Sequence, residues 1–328
     1  MIKSARAIFH PEQFQGWGKT NQYFEGWYFK VVNADETEAF AFIPGIAMNK
    51  NGLQQAFIQV LDGKKRTAEY HKFEATEFQP QAGKFEIRIA GNFFSSDTLL
   101  LDLPNARGKL KFLEQTPWPN PWYSPGIMGP YTFVPFMECY HGILSMDHRI
   151  SGELTIQGKT IDFTNGRGYM EKDWGRSFPS AYFWMQTNHF SKPGVSVKAS
   201  VAKIPWLGSS FTGFIAGVSL QNHLIQFTTY NGTKLLRSFA DKDKVELIML
   251  NKNHRLEILA HREAVTQLAS PISGFMTGRI EESMTSDIEV LLSERKSKTI
   301  LLHEIGRNAG LEVAGKIEEI MIIPTKQC

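Results

Sequence analysis

Tyr23-Phe24-Glu25-Gly26-Trp27-Tyr28-Phe29-Lys30 is the stretch from which the fold is read. Aromatic residues running into Val31 and Val32 suit a half-buried pleated surface, and the spacing predicts a β-strand over residues 23–32. Side chains alternate along a strand, so Glu25, Trp27 and Phe29 share one face while Phe24, Tyr28 and Lys30 share the other. If the Glu25 face turns inward, a carboxyl is held beside an indole in an apolar wall. Desolvation then raises its pKa and makes it a usable proton donor near neutral pH. The plainer alternative stays open: Glu25 sits at a rim and bonds backbone or an Arg.

The same grammar repeats outward. Residues 39–46, 54–61, 68–73, 85–90 and 98–103 read as strands, with Asn51-Gly52 and Asp62-Gly63 as hairpin signals. Residues 137–146, 152–156 and 160–163 continue the pattern, and a second β-rich half opens at Tyr182. Its candidates run through 182–188, 195–203, 212–220, 223–230, 244–250, 255–260, 276–280, 286–293 and 298–305, while periodicity leaves 311–321 undecided between helix and strand. Each half holds about eight strand candidates, which suits an antiparallel barrel or sheet with interior room for one small ligand. The fold class predicted is therefore all-β, with two antiparallel β-barrels or sheets in tandem, drawn at residues 1–165 and 166–328.

Composition narrows the function classes. The chain has 328 residues, 24 Phe, 9 Tyr and 7 Trp, and a formal net charge of +3. Its Lys and Arg are interspersed with Asp and Glu, so the clustered positive charge that nucleic-acid binding draws on is missing and no nucleic-acid partner is expected. Cys139 and Cys328 are too far apart in sequence to suggest a disulfide framework or a cysteine metal site. Residues 1–15 hold no apolar run of the length of a signal h-region, and no later stretch approaches the length of a membrane span, which points to a cytoplasmic protein with at most transient, peripheral membrane contact.

Three constellations could carry chemistry besides the Pro/Trp-rich loop at 114–135. That loop has Pro at 117, 119, 121, 125, 130 and 135, interleaved with Trp118, Trp122, Tyr123 and Tyr131, and it is either a long structured connection or a lid. The Glu25–Trp27 strand is the first constellation. The second, Glu171-Lys172-Asp173-Trp174-Gly175-Arg176, is either a solvated turn or a segment with one buried side, where Asp173 needs a basic partner or stays protonated. The third is Glu138-Cys139-Tyr140-His141, whose alternation sets Glu138 with Tyr140 and Cys139 with His141. No third group orients the Cys–His pair as a thiol nucleophile. The spacing of His141, Asp147 and His148 matches no metal motif, so no metal is expected.

At these residues a resemblance enters. Phe9-His10-Pro11, YFEGWYFK at 23–30, FIPGI at 42–46, AFIQVLDG at 56–63, HGILSMDH at 141–148, EKDWGRSFP at 171–179 and WMQTNHF at 184–190 resemble the tocopherol cyclase family. The early strand and the EKDWG block are also similar to carotenoid hydratase-type and lipocalin-like pericyclase proteins. The resemblance implies a tandem lipocalin-like fold around a hydrophobic small molecule such as a prenylated quinol, a polyene or a lipid. It implies a cofactor-free, acid-catalysed cyclisation or hydration, an intramolecular lyase or isomerase chemistry on an isoprenoid. On that implication Asp173 or Glu25 would donate the proton. Trp27 and Trp174 would stabilise the cation, and Glu138 or Tyr140 would orient or deprotonate a phenol. Tyr28, Trp184 and Trp122 would add aromatic lining. A non-catalytic carrier of the same ligand is the competing expectation.

Overall fold

The computed structural model describes residues 8–221 and 223–323; Cys328 lies outside them. Among the described residues the architecture is all-β, with two large antiparallel sheets and three short 3-10 turns. No described helix is long and apolar enough to cross a membrane.

The first unit comprises residues 1–178 together with 267–279. Its twelve-stranded sheet runs, in spatial order, through Thr67–Glu74, Gln54–Asp62, Ala39–Met48, Tyr23–Val32, Arg167–Gly175, Cys139–Ile156 and Ala106–Leu113, then on through four short strands to Phe78–Pro80. The Tyr23–Val32 strand is thus central. One face of it, Tyr23, Trp27, Phe29 and Val31, joins the buried apolar core with Phe40, Phe42, Phe94, Leu110, Phe112 and Phe163. Removing that apolar surface from water is what holds the sheet, at roughly 25 cal/mol per Å².

The expected boundary at residue 165 is corrected here. Arg167–Gly175 pairs with Tyr23–Val32 from Val32↔Arg167 to Phe24↔Gly175, and on its other side with Cys139–Ile156. Its charges mimic a linker in the sequence, yet they are matched inside the sheet, so the first unit continues to Phe178. Gly175 closes the strand at φ 147°, where a Cβ would lie 2.3 Å from the Glu138 carbonyl oxygen, and the next residue, Arg176, donates its N–H to that oxygen at 2.8 Å. Segment 267–279 joins the same unit through Met48 N–H to the Gly274 carbonyl at 2.8 Å and through the Gln59 side-chain amide, bonded both ways to the Ala269 backbone.

The second unit, residues 179–266 and 280–328, carries a ten-stranded sheet with Ala181–Thr187 between Val195–Trp206 and Ile300–Gly315. Phe183, Met185, Val197, Ala199, Val201 and Leu311 build its core. Residues 311–315 are strand, and only Ile317–Ile320 beyond them forms a 3-10 turn.

Candidate functional site

Arg167–Gly175 carries acid–base groups on both of its faces, and the two sets differ in kind. On the core face Lys172 is wholly buried. Its ammonium meets the Glu25 carboxylate at 2.5 Å, the Gln13 carbonyl at 2.5 Å and the Pro11 carbonyl at 2.9 Å. Three N–H donors therefore face three oxygens, the full complement of a charged lysine. The ammonium also lies 4.7 Å from the Trp27 ring centroid and 4.6 Å from that of Trp174, a double cation–π contact.

Glu25, equally buried, accepts from Lys172, from the backbone N–H of Gln15 at 2.9 Å and of Gly16 at 3.0 Å, and from the Tyr23 hydroxyl at 2.5 Å. Burial pushes the Glu25 carboxyl up and the Lys172 ammonium down, while their direct contact opposes both shifts. Tyr23 is pushed well up, first by burial and then by Glu25. This geometry corrects the reading of Glu25 as the proton donor. Its oxygens are occupied by donors, so it works as an acceptor that pins residues 11–16 across the core. Trp27, whose indole N–H donates to the Glu12 carbonyl at 3.0 Å, and Trp174 are likewise committed to Lys172.

On the opposite face stand Tyr169, Glu171 and Asp173, and the neighbouring strand places His141 directly beside Asp173. The His141 Nδ1 and the Asp173 carboxylate are 2.8 Å apart. Glu171 lies 3.6 Å from Nε2, beyond hydrogen-bond reach, and Nε2 is buried with no hydrogen-bond partner. The Tyr169 hydroxyl donates to Glu171 at 2.5 Å and is pushed well up, first by burial and then by that carboxylate. Tyr28 faces Glu171 in register and meets Tyr169 edge-on, centroids 6.5 Å apart. A carboxylate on Nδ1–H fixes the ring tautomer, so Nε2 is the atom left to take up or release a proton. Donor atoms of His141, Glu171 and Asp173 all lie within 4.8 Å of one another, close enough to hold a cation as well. The trio His141, Asp147 and His148 is not brought together: Asp147 pairs with Arg167, and His148 lies against Ser145 Oγ and the Phe112 ring.

The other expected residues scatter. Tyr140 stacks on Trp174, centroids 5.5 Å apart, and donates its hydroxyl to the Val134 carbonyl at 2.5 Å. Glu138 is half-buried, its carboxyl pushed up by burial against the pull of Arg176. Burial, then Asp173, pushes the Cys139 thiol well up, which keeps it protonated and unreactive. Trp184 is buried on the second unit's sheet. Trp122 is 79% exposed. His141 was the residue whose weight the sequence understated. Its signal is the alternation of Glu171 and Asp173 on a strand opposite a histidine, visible only once the two strands are paired.

A sequence profile of the family described as tocopherol cyclase-like matches residues 115–315. The probable chloroplastic tocopherol cyclase of Oryza sativa subsp. japonica is 27% identical over 192 residues, which are 55% of this chain and 40% of the rice protein. The chloroplastic tocopherol cyclase of Zea mays is 27% identical over 193 residues, with the same shares. The chain thus spans about two fifths of the length of these curated relatives. Among solved structures, CghA bound to Sch210972 aligns at a TM-score of 0.54 with 11% identity over 89% of this chain and 88% of CghA. A Nitrosomonas europaea protein provisionally assigned as AttH aligns at 0.53 with 13% identity over 90% and 93%. At such identities these likenesses speak for the fold alone, two lipocalin-like antiparallel β units in tandem.

Proposed function

The chain belongs to the tocopherol cyclase-like family, and from that premise we propose that it catalyses an acid-initiated cyclisation or hydration of a prenylated phenol or polyene, with the Asp173–His141 pair as the proton source. The observation that carries the reading is the His141 ring held by Asp173 at 2.8 Å with its buried Nε2 left unbonded.

The imidazolium Nε2–H protonates the less substituted carbon of a trisubstituted alkene, and the electron pair of the double bond forms the new C–H bond. Asp173 stabilises the charged ring while it holds that proton. The tertiary cation is captured by the phenol oxygen of the same molecule, or by water in a hydration. The O–H proton released on C–O bond formation returns to Nε2, so cyclisation is redox-neutral and leaves the protein unchanged. Tyr28 and Tyr169 are among the aromatic rings on this side of the sheet, with Phe24 on the same face of its strand. The cation-stabilising role implied for Trp27 and Trp174 passes to them, because both indoles already hold the Lys172 ammonium.

Incubation of the protein with prenylated hydroquinones and with acyclic polyenes, followed by mass spectrometry of the products, tests the reading. His141→Gln and Asp173→Asn are expected to lower turnover by about a hundredfold or more. Undiminished turnover in His141→Gln defeats the assignment, and tight binding without turnover by the unaltered protein gives the ligand to a carrier instead.

A further inference from the structure

The Pro/Trp-rich loop holds an exposed aromatic surface that the dyad does not use. Between Glu114 and Glu138 the chain has no charged residue. Within that run Trp118, Ile127, Met128 and Met137 are buried and anchor the loop, while Trp122 and Tyr123 are 79% and 63% exposed and Phe133 and Phe136 are each 47% exposed. Phe9 adds a further exposed ring, 6.0 Å from that of Phe133.

Part of the loop's backbone is tied within the loop itself. Ser124 N–H bonds the Pro121 carbonyl, Val134 N–H bonds the Tyr131 carbonyl, and the Thr132 hydroxyl bonds the Pro125 carbonyl, each at 3.0 Å. Asn120 ties the loop to the N-terminal segment, donating to the Phe9 carbonyl at 2.6 Å and accepting from Gly126 N–H at 3.0 Å. Six prolines remove further donors.

We infer that this loop docks the protein on the interfacial region of a lipid bilayer. Three features select lipid over a protein partner. The absence of charge lets the whole run leave water without stripping an ion of its hydration. Trp and Tyr, with an apolar ring and a polar tip, are the residues that settle at the headgroup boundary. The internal hydrogen bonds order part of the loop in advance, and the six prolines lower the number of backbone N–H groups that would have to be satisfied on entry. Because the contact is made by neutral rings, it takes zwitterionic lipid and depends weakly on salt. The inference stands on the loop alone and holds whether or not the His141–Asp173 pair turns over a prenylated phenol.

The test is co-sedimentation of the full chain with phosphatidylcholine vesicles at low and high salt. The unaltered protein and the double variant Trp122→Ser/Tyr123→Ser are compared, with circular dichroism confirming that the variant is folded. Partition onto vesicles that persists at high salt and falls by about tenfold or more in the variant is the expected result, from the loss of two aromatic side chains. Quenching of tryptophan emission by brominated phosphatidylcholine, lost in Trp122→Phe, is the expected companion. The inference is overturned by no partition, by partition equal in the variant, or by binding only to anionic vesicles that salt abolishes. It is also overturned if sedimentation shows self-association that the variant loses, since the rings then cover a second copy of the chain.

Discussion

Lys172 and Asp173 are neighbours on one strand, and the pairs they form face opposite sides of the first sheet. On the core side, Glu25 and Lys172 satisfy each other's hydrogen-bonding capacity completely with the help of the Gln13 and Pro11 carbonyls, the Gln15 and Gly16 N–H groups and the Tyr23 hydroxyl. On the other side, His141 has one firm hydrogen-bond partner and one nitrogen with no hydrogen bond, Glu171 standing 3.6 Å from it. A buried polar network with every member satisfied rigidifies a fold, whereas one with an atom left over retains something to offer a substrate. The contrast assigns stability to Lys172 and chemistry to Asp173.

That division can be broken first at its stabilising member. Lys172→Met strands the Glu25 carboxylate in the core and is expected to cost about 3–5 kcal/mol of unfolding free energy in urea denaturation. Combining it with Glu25→Gln recovers part of that loss, since no charge then remains buried. A Lys172→Met protein as stable as the original would place the pair in the chemistry instead. Asp173→Asn is the converse. It is expected to lower turnover by about a hundredfold, equivalent to about 2.7 kcal/mol of barrier, while unfolding free energy changes by less than about 1 kcal/mol.

A third comparison uses another histidine of the Cys139–Ile156 strand. Burial pushes His148 down to about 3, against a free value near ~6.5. A folded-state value below the unfolded one means that His148 adds stability above the unfolded pKa, and that this contribution is lost as pH falls from about 6.5 toward about 3. Near pH ~5 the loss is on the order of 2 kcal/mol, and His148→Asn should flatten that part of the stability profile measured by denaturant titration. The smallest effect is at Tyr140, where Tyr140→Phe removes the hydrogen bond to Val134 but keeps the stack on Trp174. About 1 kcal/mol should be lost, with faster proteolysis within the 114–135 loop as the local readout.

The all-β fold was readable from alternation, and so was the sharing of one face by Glu25, Trp27 and Phe29, because strand periodicity is local. The Arg167–Gly175 strand was not. Glu171, Lys172 and Asp173 read either as a solvated turn or as a segment with one buried side, and the ionic partners that decide between the two lie far away in the chain, on the Tyr23–Val32 and Cys139–Ile156 strands. The register that sets His141 beside Asp173 and Tyr140 beside Trp174 is a non-local pairing that a single sequence does not encode in its spacing. The strands Lys234–Ala240 and Thr266–Ile272 were missed as well. The membership of residues 267–279 in the first unit follows from contacts such as Gln59 with Ala269, 210 positions apart.

The grip of Lys172 on Pro11 and Gln13 sets an order of events during synthesis. Those two carbonyls leave the ribosome some 160 residues before the ammonium that binds them, an interval of about 8–32 s at ordinary elongation rates. Until then Glu25 has no counter-ion, and the part of the core face that residues 11–16 later cover is open to water. The nascent chain must therefore hold an unfinished core through that interval, and it is in this window, more than in the finished protein, that a chaperone or a protease finds its opportunity.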